Sequence, residues 1–177
     1  MDVELIAGLA RQRPDASVVV IGPTATPRGS GANLPNVHWL GPRDHQLLPD
    51  YLRFFDVGLI PFRHVPVAHN ANPIKLYEYL AAGVPVVSTA LPAVRPVPGS
   101  VWLADDSERA ATCCDEALRH NQPADRAGRS RLMLAESWSQ RLGQISEIVA
   151  ATMRRVPAGS PVTPAAEPPG LPAIPSV

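Results

Sequence analysis

The sequence predicts an α/β fold in which a parallel sheet carries helices on both faces. Three observations carry this. Helical apolar spacing alternates with short apolar runs from Asp2 to about Met153. The runs at residues 17–22, 56–62 and 85–89 are apolar on successive positions, as expected of strands buried on both faces. A chain of 177 residues, 45% of them hydrophobic, is long enough for one core of ordinary size.

The elements follow in order. Val3, Ile6, Ala7 and Ala10 stand at helical spacing, and Pro14 stops that helix. Residues 17–22 form a strand closed by Gly22 and Pro23, and residues 37–41 form a second strand after a loop rich in Gly, Pro, Thr and Asn. Residues 47–55 read as helix despite Pro49. Residues 56–62 form the next strand and turn, and Pro73 suits the first position of a helix running to Ala82 and ended by Gly83. Residues 85–89 are a further strand and residues 100–103 a short one near an edge. Helices at 107–120, 124–136 and 138–153 complete a Rossmann-like layer sandwich. From Val156 onward the chain is rich in proline and has no aromatic residue, so residues 1–155 are expected to form the domain and residues 156–177 a disordered tail.

Composition narrows the partners. Sixteen basic and sixteen acidic residues give no net charge, which favours neither nucleic acid nor an anionic surface. Cys113 and Cys114 are adjacent on a predicted helix, where their side chains diverge, so no mutual disulfide is expected and a reducing cytoplasm fits. The first residues carry acid where a signal peptide carries base, and no apolar run reaches the roughly 18 to 20 residues that span a bilayer. A cytoplasmic chain is expected, with peripheral association at the inner membrane face left open.

In open parallel sheets ligands bind beyond the carboxyl ends of the strands, which directs attention to the loops after Ile21, Leu40, Ile60 and Val87. The segment after Ile60 is the richest, with Arg63, His64, His69, Asn70 and Asn72 ahead of Pro73, Ile74, Lys75 and Glu78. A loop opening a helix presents free N–H groups to phosphate oxygens, and Arg63 and Lys75 add positive charge. Glu78, one turn beyond Lys75, offers two acceptor oxygens to a vicinal diol. An exposed Lys75–Glu78 helix pair with no ligand is the plain alternative. His38 and Trp39 read as strand packing, and His64 and His69 as loop histidines. No grouping has the spacing of a zinc site or the logic of a Ser-His-Asp or Cys-His centre.

Residues 72–89, reading Asn-Pro-Ile-Lys-Leu-Tyr-Glu-Tyr-Leu-Ala-Ala-Gly-Val-Pro-Val-Val-Ser-Thr, resemble the donor-site signature of GT-B glycosyltransferases of the retaining family 4, in the bacterial polysaccharide-synthesis branch. Residues 20–23, 34–41 and 55–62 resemble the preceding blocks in the right order. The resemblance implies a C-terminal domain binding a nucleotide diphosphate sugar, with no cofactor and no metal. Glu78 would hold the ribose, and the backbone of Asn72, Pro73 and Ile74 would cradle the diphosphate. Gly41 and Arg43 would border the base. Asn70 falls where the family carries a further glutamate facing the sugar, so the carboxylate contact is missing there. Trp138 resembles a packing anchor at the start of the last helix. The acceptor would be a glycan or a lipid-linked molecule, met in the cleft with an N-terminal domain.

Such a domain opens with a strand that this sequence lacks, between the strands at Val18 and Val57. An upstream segment or a partner is expected to supply it, and the isolated chain is expected to be inactive. Two rival readings are a non-catalytic binding module derived from such an enzyme, and a receiver-like signalling domain, which lacks here the acidic cluster it needs near Ile21.

Overall fold

The structure is a computed structural model, and it describes residues 1–23 and 33–155. The expected tail and most of the loop after Pro23 lie outside the described residues. Among the described residues five strands and their helices follow the predicted alternation: α1 (Val3–Gln12), β1 (Val18–Ile21), β2 (Val37–Gly41), a 3₁₀ turn (His45–Leu47) running into α2 (Leu48–Leu52), and β3 (Gly58–Ile60). Then come α3 (Pro66–His69), α4 (Ile74–Ala81), β4 (Val86–Ser88), β5 (Val101–Leu103), α5 (Ser107–Arg119), α6 (Pro123–Leu134) and α7 (Trp138–Arg155). Residues 1–137 form one compact unit, and α7 belongs to a second.

All pairings between named strands are parallel, but they make two ladders. One is β1-β2 and the other β3-β4-β5. Among the described residues β1 and β3 have no ladder between them, the place where the sequence leads one to expect a missing strand.

Alternation along β4 shows why two helical layers are needed. Val87 packs with Leu5 and Leu9 of α1 and with Ala110, Cys113 and Ala117 of α5. Its neighbour Val86 points the other way, to Leu76 and Leu80 of α4 with Ile60 and Val101. Successive strand residues face opposite sides of a sheet, so these two clusters are its two covered faces. Gly8 lets α1 approach α5, since a Cβ there would stand 2.5 Å from the Ser107 side chain.

Several local choices are visible in the chain. Asp2 caps α1, accepting from the N–H groups of Glu4 and Leu5 at 3.1 Å each. Gly83 ends α4 at φ +78°, and the Val84 N–H to Tyr79 O and Gly83 N–H to Leu80 O bonds complete a Schellman motif. Arg129 of α6 is 2% exposed. It donates to the carbonyls of Gly83, Gly99 and His120 and to the Asn121 side chain, tying α6 to three loops. Burial, helped by the neighbouring Arg126 charge, holds this guanidinium below its usual range, with Asp125 opposing the shift.

Some expectations need correction. The helix expected at residues 47–55 is only Leu48–Leu52, because Pro49 leaves a 3₁₀ turn before it and the chain turns away after Leu52. Pro73 is the cap residue, at φ −70° and ψ 109°, not the first helical one. His38 is exposed rather than packed, because it faces away from α1 while Val37 and Trp39 face its Ile6 and Ala10. Trp138 opens α7 in the second unit and is 77% exposed; Leu142, Ile145 and Val149 share its stripe of the helix and are also half exposed or more. Both cysteines are free and buried.

Candidate functional site

The carboxyl ends of β3 and β4 are stitched together by short side chains. Thr89 Oγ1 accepts the Phe62 N–H at 3.1 Å, and Ser88 Oγ donates to the Thr89 carbonyl at 2.8 Å. From this base the chain leaves β3 through residues 61–73 and starts α4. Ala68 of α3, 4% exposed, is buried in the core with Leu76 and Leu80 and so roots the loop from inside. Sequence spacing gave no sign of α3, a single turn opened by Pro66.

The start of α4 is open. Pro73 is its cap residue and supplies no side-chain hydrogen bond, so no side chain competes for the first N–H groups of the helix. Asn72 lies just outside, exposed, and its Oδ1 accepts from the Tyr77 hydroxyl at 3.3 Å. Ile74 is 58% exposed, which leaves the first turn open.

Lys75 Nζ donates to Glu78 Oε2 at 2.7 Å, with the side chains 50% and 27% exposed. The plain helix pair therefore exists. It does not exclude a ligand, because an exposed i,i+3 pair contributes under about 1 kcal/mol and is readily exchanged for other partners. Tyr79, next to Glu78, lies against Gly58, where a Cβ would stand 2.6 Å from its ring. Burial, and secondarily the Glu78 charge, push its hydroxyl above the usual range.

The remaining predicted residues are more dispersed. Arg63 is exposed on the loop after β3, and its guanidinium has no partner among the described residues. Asn70 is exposed at the end of α3. Gly41 ends β2 at φ +72°, and its carbonyl accepts the Gly22 N–H at 3.0 Å. Arg43 is occupied locally, by the Tyr51 hydroxyl at 3.2 Å and the Pro42 carbonyl at 2.9 Å. Gly41 ends the β1-β2 ladder and Arg43 follows it, whereas Lys75 bonds Glu78 and Asn72 bonds Tyr77 at the start of α4.

One group was missed. Asp105 follows β5, and its Oδ1 accepts the Ala90 N–H at 2.7 Å and lies 2.9 Å from His64 Nε2. The signal was available, since Asp105 also stands beyond the carboxyl end of a strand, the one whose loop was left unsearched.

Comparison with known proteins bears on the family and the fold. The sequence profile described as Glycosyl transferases group 1 matches residues 3–120. TuaH of Bacillus subtilis, which bears the name of a teichuronic acid biosynthesis glycosyltransferase, is 40% identical over 97 residues, 52% of this chain and 24% of its own length. The crystal structure of Anabaena Alr3699/HepE, in complex with UDP-glucose, superposes with a TM-score of 0.60 at 16% identity, covering 84% of this chain and 44% of HepE. The chain thus spans about a quarter of TuaH and under half of HepE. It has the Rossmann-like α/β layers of HepE, and by the match over residues 3–120 it belongs to the group 1 glycosyl transferases.

Proposed function

We propose that this chain binds the nucleotide diphosphate sugar from which a glycosyltransferase draws its transferred sugar. The observation carrying this reading is the uncapped, open first turn of α4 beyond the carboxyl end of β3, with Glu78 one turn further on. The N–H groups of Ile74 and Lys75 and the exposed Arg63 would meet the diphosphate, and Glu78 would leave Lys75 to accept the ribose hydroxyls. The helix dipole and these cations would stabilise the charge left on the departing diphosphate, so donor binding in this reading is independent of metal.

The base would lie towards Gly41 and Arg43, and Asn70 would offer the sugar an amide in place of a carboxylate. The transfer would retain anomeric configuration and go to a glycan or lipid-linked acceptor held by another part of the protein; the kinship with TuaH, named for teichuronic acid biosynthesis, supports a role in biosynthesis of that kind. UDP is the first donor base to test, given the ligand of HepE. Amide hydrogen exchange read with uridine, UMP and UDP, each with and without EDTA, tests the reading. Protection at Ile74 and Lys75 should grow with each phosphate and survive EDTA. Equal exchange in all three states would contradict it.

A further inference from the structure

The loop from Pro61 to Pro73 carries Arg63, whose placement decides whether its charge reaches an anion at the start of α4. Between Phe62, tied to Thr89 at 3.1 Å, and the buried Ala68, the side-chain tie recorded among the described residues is His64 to Asp105. Asp105 itself is fixed, because its Oδ1 also accepts the Ala90 N–H. One oxygen thus gathers the segments that leave β3, β4 and β5. Arg63 is bracketed by the two ties, Phe62–Thr89 on one side and His64–Asp105 on the other.

We infer that Asp105 is a positioning residue for the donor site, holding Arg63 towards the diphosphate through His64. This deepens the function proposed above and rests on it. The bonding also says what kind of group is needed. An ionised carboxylate only accepts, so His64 Nε2 bears the hydrogen in this contact. Both bonds end on a single oxygen, which an amide oxygen would replace. Geometry, not the negative charge of Asp105, is what the loop uses.

The test combines Asp105→Ala, Asp105→Asn and Arg63→Gln, singly and with Asp105→Ala added to Arg63→Gln, in the full chain. Calorimetric titration with UDP reads affinity, and amide exchange without ligand reads the loop. Asp105→Ala should weaken UDP binding about five- to tenfold and speed exchange at Val65 and Ala90, while Asp105→Asn should stay within about twofold of the parent. In the Arg63→Gln background the Asp105→Ala effect should fall below about twofold, an outcome that a general loss of stability would not produce. The inference is overturned if Asn loses as much as Ala, if the loss persists without Arg63, or if Asp105→Ala changes nothing. A parent that does not bind UDP or any other nucleoside diphosphate defeats the donor reading and this inference together. Altered exchange in Asp105→Ala would then show that only the loop tie survives.

Discussion

The two ladders of the molecule share strand direction and apolar composition yet differ in burial. In β3-β4-β5 the middle strand is buried at every position, with Val86 at 0% and Val87 at 3%, because α1 and α5 cover one face and α4 the other. In β1-β2 only Val18 and Val37 are buried, and the helical cover in their cluster is Ile6 and Ala10 of α1. An apolar run therefore announces a strand but not how deeply the strand is covered. Burial comes from the layers packed on it, and the better-covered ladder is also the one that carries the candidate site.

The sharpest way to break the covered ladder lies in the clamp at its side. Arg129→Met should cost about 3 to 5 kcal/mol in urea unfolding, since it leaves the carbonyls of Gly83, Gly99 and His120 without their donor in a buried place. A cost near zero would mean that those carbonyls find other donors.

Next comes Cys114, in the cluster beneath Val87, whose thiol is pushed up from 9.0 to about 11, chiefly by burial. A folded pKa above the unfolded one means that stability is complete below pH 9 and is lost as pH rises through about 11. The loss should approach roughly 2 to 3 kcal/mol on the alkaline side. Cys114→Val should flatten that limb in unfolding curves taken from pH 8 to 11; an unchanged limb would assign it to other groups.

A matched pair then compares the ladders directly. Val86→Ala should cost about 2 to 3 kcal/mol and Val20→Ala under about 1, because Val86 is fully buried and Val20 only half. Equal losses would remove the distinction.

Much of this was legible in the chain where one residue type settles a backbone question. Gly83 marks the end of α4 because the αL position there excludes other residues cheaply, and a Cβ would also stand 2.8 Å from the Arg126 carbonyl. The start of α4 and the Lys75–Glu78 neighbourhood follow from Pro73 and helical spacing. What was hidden depends on contacts distant in sequence. Arg129 looks like any surface helix arginine until three loops present carbonyls to it, and His64 acquires a role only when Asp105, 41 residues on, comes within 2.9 Å. The shallow burial of β1 likewise reflects the helical cover on its ladder, Ile6 and Ala10 of α1, not its own residues.

The central claim is that Glu78 belongs to a ligand and not only to Lys75, and calorimetry on Glu78→Gln tests it most directly. Gln and Glu have similar helix propensities, so α4 should persist. Affinity for UDP should fall by about 1 to 3 kcal/mol, as expected for losing a charge-assisted hydrogen bond to the ribose in a partly buried site. Lys75→Met should weaken UDP more than uridine, whereas Glu78→Gln should weaken both. Unchanged affinity of the folded Glu78→Gln protein for every nucleoside diphosphate that binds the parent would contradict the account, leaving Glu78 as a surface partner of Lys75.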